Sequence, residues 1–348
     1  MISQDGQRWG IQWHPEVSHS QYGDELLHAF AQHCDLQTTL VPTAAERIKS
    51  LCAALPEHKA LIAVSGGVDS TTLALLYQQS GQPCVPVFVE TGLMRAGEAD
   101  EVEQALRPLL PTLQIINAKE RFLSALRNIS DADQKRQIIG REFAELLQET
   151  AHTYHCTAMA QGTLLSDVIE SGHGSATSER IKRHHNLEIP HDYALPVVEP
   201  FRDLFKWEVR ELAQELGLAH ALTQRMPFPG PGLAVRILGE VTERRLEMVR
   251  QADVIFQQLL VEDGTHCSQA FAALLNSKAV GVAGDAPRYD EIVCLRAVES
   301  SDFMTANVVP LSISLLQRVA SRILNEVHGV ARVMYDLSSK PPATIELE

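Results

Sequence analysis

Ser65-Gly66-Gly67-Val68-Asp69-Ser70 brings hydroxyls, paired glycines and a carboxylate into one short run. Gly66 and Gly67 let the backbone turn sharply and come close to a ligand. N–H groups freed by that turn, beside the positive end of a following helix dipole, suit phosphate oxygens. Ser65 and Ser70 add hydroxyls. Asp69 is the odd member. A carboxylate repels phosphate unless a cation lies between them, so the pattern calls for Mg²⁺ bridging Asp69 to a polyphosphate. No Gly-Lys-Ser/Thr is present, so this is not the usual P-loop. The bland alternative is an ordinary strand-to-helix turn.

Further on, Gln161-Gly162-Thr163 precedes Asp167 and Glu170, which are three residues apart. One helical turn presents both carboxylates on one side. With Asp69 they form a candidate Mg²⁺ set, against a solvated acidic turn as the alternative. A glycine- and serine-rich stretch from Gly172 to Ser178 reads as a lid, and Lys182 at its end is placed to neutralise charge on a transferring phosphorus. His184 and His185 lack a carboxylate or cysteine at ligand spacing and read as hydrogen-bonding histidines. Near the start, His14 and Glu16 form a His-x-Glu pair of the kind that orients an imidazole as a general base.

The elements that must position these groups alternate. Ala60 to Val64 is an apolar strand and Asp69 to Gln79 a helix. Strands over Cys84–Val89, Leu113–Asn117 and Thr157–Gln161 follow, with helices over Ala96–Leu109 and from Asp131 to about His155. Pro42–Leu55 and Leu204–Leu216 are further helices, the latter stopped by Gly217. Such alternation predicts a doubly wound parallel α/β sheet with ligands at the carboxyl ends of its strands. The Ser65 loop, Thr91-Gly92 and Gln161-Gly162-Thr163 all fall there.

The run Pro227-Phe228-Pro229-Gly230-Pro231-Gly232 is neither helix nor central strand. A smaller α+β domain is predicted after it. Its strands are Leu233–Leu238, Ser268–Leu274, Ala279–Val282, Ile292–Val298 and Val330–Asp336, with helices over Thr242–Val261 and Leu311–Val327. Residues 1–36 stand apart: Trp9 to Glu16 is strand-like before turning, and Asp24 to His33 is a helix.

Composition bounds the rest. The chain has 348 residues and a net charge of −14. That balance excludes nonspecific nucleic-acid or anionic-membrane binding as a main activity. Six cysteines without a CxxC pair read as reduced thiols. No membrane-length apolar run or secretory signal is present, so the expected location is the cytoplasm.

The loop at Ser65 resembles the pyrophosphate loop of ATP pyrophosphatases that adenylate a substrate oxygen. Taken in order, several motifs resemble those of the GMP synthases. They are Ser65–Ser70, Gln161–Thr163 with Asp167–Ser171, Ile181-Lys182 with His184–Asn186, Pro227–Leu233, Leu295–Val298 with Asp302–Thr305, and Lys340–Glu346. The resemblance implies a remnant of a class I glutamine amidotransferase domain over 1–36, an ATP pyrophosphatase domain over 37–226 and a dimerisation domain over 227–348. It implies ATP bound by Ser65, Gly66, Gly67, Val68, Asp69, Ser70, Thr71 and Gly162, with Mg²⁺ on Asp69, Asp167 and Glu170. Asp69 and Lys182 would serve the chemistry, Lys182 matching the lid lysine. Xanthosine 5′-monophosphate (XMP) would be held by Arg136, Gln269, Lys340 and Glu346, and ammonia would aminate it to GMP.

Three places depart from the family pattern: Glu90-Thr91, Leu165-Ser166 and Leu187-Glu188-Ile189-Pro190. His14 and Glu16 match the amidotransferase pair, while Cys34 and Cys52 lie after it without glycine-elbow flanks. Glutamine hydrolysis by these residues alone is therefore not expected, and a separate glutaminase subunit is one source of ammonia. Two alternatives stand beside this reading. One is another adenylating enzyme on the same scaffold, for NAD synthesis or tRNA modification. The other is a non-catalytic nucleotide-binding paralogue.

Overall fold

The computed structural model describes residues 2–3, 8–15, 20–36, 42–170, 195–219, 228–283, 286–300 and 305–348. Five strands, β1 (Ala60–Ala63), β2 (Cys84–Glu90), β3 (Gln114–Asn117), β4 (Ala158–Ala160) and β5 (Val197–Val198), pair in parallel in the order β3-β2-β1-β4-β5. The predicted doubly wound α/β sheet is present. Its order reverses between β1 and β4, and the carboxyl ends of strands at such a switch point are where sheets of this class bind ligands.

Ala60, Leu61 and Ile62 of β1 have no solvent exposure, as befits a central strand covered on both faces. Alternate side chains serve different cores. Leu61, Val85, Val87 and Val89 face one cluster, whereas Ile62, Val64 and Phe88 face the other. The second cluster is filled by α2 (Ala44–Ala54), α3 (Val68–Ser80), α4 (Glu98–Leu106) and α8 (Lys206–Glu215). Helix α3 is buried almost all round, from Thr71 to Tyr77. The hydroxyls of Thr71 and Thr72 bond back to the carbonyls of Gly67 and Val68, so both bury without an unpaired donor.

The first cluster takes in α5 (Lys119–Ala125) and α6 (Ala132–Thr153), then continues into the C-terminal half. Asp131 caps α6 by accepting from Gln134 N–H at 2.9 Å. A short helix, α7 (Leu165–Glu170), follows β4. Helix α5 has no counterpart in the sequence reading.

The C-terminal half is α+β, as expected. A long antiparallel hairpin, β6 (Gln269–Ala283) and β7 (Ala286–Glu299), pairs with β8 (Asn307–Val308) and, in parallel, with β9 (Val330–Tyr335). Helices α9 (Glu243–Asp263) and α10 (Ile313–Glu326) bury Leu246, Val249, Phe256, Leu315, Val319 and Ile323 in the first cluster.

Three expectations are corrected. The two strands predicted over Ser268–Leu274 and Ala279–Val282 are one strand that shifts register between Leu274 and Lys278. The run predicted as strand Leu233–Leu238 is a 3₁₀ helix over Gly232–Arg236. A short run that is apolar but for Arg236 carries no clear period to separate helix from strand. Here Leu233 N–H bonds to the Leu93 carbonyl at 2.7 Å, which ties the start of the segment to the loop after β2, while its end keeps a single parallel bridge, Ile237 with Leu274 of β6. Among the described residues, Trp9 makes an isolated bridge with Ile2 in place of the expected strand. Trp9 instead packs on Phe30 and His33 of α1 (Gly23–His33), with ring centroids 5.4 and 5.5 Å apart.

Among the described residues, no helix is long and apolar enough to cross a membrane. All six cysteines are free thiols.

Candidate active site

The loop from β1 into α3 folds on its own hydroxyls. Ser65 N–H donates to Ser70 Oγ at 3.1 Å, Gly67 N–H to Ser65 Oγ at 3.3 Å, and the two serine oxygens are 3.2 Å apart. Gly66 has φ +79°, and Gly67 stands at the N-cap of α3 with Val68 and Asp69 in its first turn. Gly162, just after β4, lies directly against this turn. A Cβ there would sit 3.3 Å from the Asp69 backbone carbon and from its Cβ. The loops after β1 and β4 are therefore in contact across the switch point, and glycine is what permits the approach.

Asp69 is only partly covered. Its Oδ2 accepts from Lys206 Nζ at 2.5 Å, while its Oδ1 is buried with no hydrogen-bond partner. A buried acceptor of this kind calls for a donor or a cation. Asp167 is turned into its own helix, its Oδ2 accepting from Leu164 N–H at 2.8 Å. The side chain of Glu170 lies outside the described residues, as do Lys182, His184 and His185. Among the described residues no three His, Cys, Asp or Glu side chains form a metal cage. Mg²⁺ is commonly held by one or two carboxylates together with substrate phosphates. Asp69 with its free oxygen fits that mode.

The loop after β2 has a different task. Glu90 Oε1 accepts from Gly92 N–H at 2.9 Å and Thr91 Oγ1 from Leu93 N–H at 3.2 Å, so the departure at Glu90-Thr91 caps its own turn. Arg250 of α9 holds the carbonyls of Gly92 and Met94 at 2.6 and 2.9 Å. Arg95 lies over the Phe228 ring at 4.6 Å, and Arg236 lies over the same ring at 5.2 Å. The strand-end loop thus reaches, through Phe228, the residues expected to hold the purine nucleotide.

Of those, Gln269 and Glu346 meet. Gln269 Nε2 donates to Glu346 Oε1 at 2.8 Å, and Arg236 grips both oxygens of Glu346 from Nε and Nη2 at 3.1 and 2.9 Å. Arg236 has no solvent exposure and also stacks on Phe271, 4.3 Å from the ring centre. Asp253, below this cluster, accepts from Ala272 N–H at 3.0 Å. Burial pushes its carboxyl up, and Arg236 is the strongest of the groups opposing that shift. Lys340 is tied by its backbone to Ala306, N to O at 2.8 Å and O to N at 3.0 Å. Arg136 lies near the start of α6 with Asp133 3.7 Å away, beside Lys135, whose ammonium reaches the tail residue Glu348. His14 is exposed, its carbonyl accepting from Ser20 Oγ, and Glu16 lies outside the described residues.

The sequence reading missed Lys206 and Arg236, though each left a trace. Lys206 is the first residue of α8, where the helix dipole disfavours a cation, so a nearby anion was implied. Arg236 is the one charge inside an apolar run, which implied a buried partner.

Comparison with known proteins places the chain as a whole. The GMP synthase C terminal domain family matches residues 260–347. A GMP synthase [glutamine-hydrolyzing] of Thermus thermophilus is 48% identical over the whole chain and 70% of its own length. The protein of that name from a Nitratiruptor species is 47% identical over the whole chain and 69% of its length. The one from Clostridium acetobutylicum is 44% identical over the whole chain and 70% of its length. Identity of this extent, carried across both sheets and the tail that joins them, means that the chain belongs to the GMP synthase family.

Proposed function

We propose that this ligase adenylates the C2 oxygen of XMP with ATP and then aminates the product with ammonia, giving GMP, AMP and pyrophosphate. The observation that carries the reading is the contact of Gly162 with Asp69 across the switch point. It sets side by side the two strand-end loops that flank a triphosphate in such a crevice.

ATP lays its phosphates on the backbone N–H groups and hydroxyls from Ser65 to Thr71, with Gly162 closing the other side. Mg²⁺ would be held by Asp69 with Asp167 and Glu170 nearby, and when bound it spreads the charge of the departing pyrophosphate. Lys206 and the lid residue Lys182 add positive charge at the same place. The C2 oxygen attacks the α-phosphorus and the bond to pyrophosphate breaks. Ammonia then attacks C2, the C2–oxygen bond breaks, AMP departs with that oxygen, and the new amine loses a proton to solvent. Arg136, Gln269, Lys340 and Glu346 hold XMP through these steps. A phosphate monoester suits Arg and Lys, while a purine edge suits an amide and a carboxylate.

The test is incubation with ATP, Mg²⁺, XMP and ammonium chloride near pH 8.5, where free ammonia is plentiful. AMP and GMP should rise in equal amounts. AMP release that ignores XMP would refute the reading. A separate glutaminase as ammonia source, a cytoplasmic location and the division at about residue 227 belong to the same proposal.

A homodimer formed by the C-terminal half completes it. Val280, Val282 and Tyr289 are 47, 80 and 68% exposed, and Val280 faces Tyr289 across the hairpin, so an apolar strip stands open. Light scattering should give twice the chain mass of 38.4 kDa at micromolar concentration. Val282→Asp with Tyr289→Asp should shift it toward the single chain. A wild-type monomer would remove the dimer from the proposal.

A further inference from the structure

The end of the chain alternates. Ile345, Glu346, Leu347 and Glu348 place apolar and acidic side chains in turn. Ile345 and Leu347 pack with Phe271 and Val298 on the hairpin. The two carboxylates turn to cations that have no solvent exposure: Glu346 to Arg236 and Glu348 to Lys135.

Lys135 is the unusual member. Its Nζ donates to Glu348 Oε2 at 2.6 Å, to the Ile237 carbonyl at 2.6 Å and to the Ala234 carbonyl at 3.3 Å. An ammonium has three donors, and all three are used. The other oxygen of Glu348 accepts from Gly239 N–H at 3.3 Å. Lysine is almost never fully buried without a partner. Burial disfavours its charge and holds its ammonium below the ordinary lysine range, with Glu348 the chief group opposing that shift. Buried ion pairs of this kind add little net stability, because desolvation cancels much of the attraction. What such a pair does well is fix one geometry. Lys135 belongs to α6 in the ATP half, Ala234 and Ile237 to the connector, and Glu348 to the tail. One nitrogen therefore joins three segments, and the turn of α6 that carries it also carries Arg136.

We infer that Lys135 and Glu348 are a positioning pair that docks the tail against α6 and so sets the distance between Arg136 on one side of the XMP site and Glu346 with Lys340 on the other. The inference rests on the reading given under Proposed function. Neither member of the pair touches substrate. Their effect is felt through nucleotide affinity, leaving the phosphate loop at Ser65 undisturbed.

The experiment compares the wild-type chain with Glu348→Gln, Lys135→Met and the double variant. It measures XMP binding by calorimetry, KM for XMP and for ATP, kcat, and thermal stability. Glu348→Gln is the conservative probe, because it removes the charge and keeps the shape should Lys135→Met fail to fold. The expected result for a site misplaced on one side is a rise of about tenfold or more in the XMP constant. KM for ATP should stay within about twofold, and the double variant should be no worse than Lys135→Met alone, since both act through one contact. Folded variants that bind XMP as the wild type does overturn the inference, as do variants in which both KM values rise together. A wild-type chain that binds no XMP overturns the function reading and this inference with it, a result distinguishable because the wild-type control alone reveals it.

Discussion

Asp69→Asn is expected to lower XMP-dependent pyrophosphate release by about 10²–10³-fold, the effect of removing one preorganised charge from a phosphoryl-transfer site. The asparagine keeps the shape of the side chain, so Gly162 still fits against the turn. It loses the charge that pairs with Lys206 and the buried oxygen available to a cation. The side chain is partly exposed and makes no core contact, so the melting temperature should hold within a degree or two. The informative comparison is Lys206→Met. If the Asp69–Lys206 contact were merely a surface ion pair, both variants would be nearly silent, because such pairs contribute little. If both groups meet the triphosphate, each is impaired, and the pair together costs less than the product of the two separate losses. Near-normal pyrophosphate release by Asp69→Asn would remove this aspartate from the chemistry.

The second large effect is on stability. Arg236→Met should destabilise the fold by about 3–5 kcal/mol, because it strands buried charge. Glu346 loses both of its bonds to the guanidinium, and Asp253 loses the strongest of the cations opposing its protonation. Methionine still fills the space between Phe228 and Phe271, so a cavity is not the cause. Two controls separate charge from packing. Arg236→Met with Glu346→Leu should recover much of the loss, since removing both members of a buried pair leaves nothing unpaired.

The second control is pH. Asp253 has a folded-state value raised above the ordinary 3.8, and without Arg236 it rises further. A carboxyl raised in the folded state binds its proton more tightly there than in the unfolded chain. Its contribution is fully present below the unfolded value and is lost as pH climbs through the folded one. The deficit of Arg236→Met should therefore be larger at pH 8 than at pH 5 in denaturant titrations. A deficit that does not change with pH would place the damage elsewhere.

Much of this protein is legible in its amino-acid sequence. The strand-turn-helix at Ser65 was readable because an apolar run, two glycines and a helix-forming run are adjacent, and adjacency is what sequence records directly. The alternation of strands and helices implied a parallel sheet for the same reason: chain chirality leaves few ways to connect such elements. The second domain was recognised as α+β, yet the connector at Leu233 was read as strand. A segment buried on every side has no polar face to reveal its period. Helix α5 was missed because seven residues hold too few turns to display one.

The sequence by itself determined the strand-turn-helix at Ser65, the sheet class and the family, because each is written in neighbouring residues or in motifs taken in order. Only the tertiary structure decided the partners. Lys206 stands 137 residues from Asp69, Glu346 stands 110 from Arg236, and Glu348 stands 213 from Lys135. No local pattern pairs such residues. Arg236 and Lys135 are matched by the packing of the sheets and connector that bury them, and a buried charge is tolerable only where folding brings its counterpart within hydrogen-bond reach.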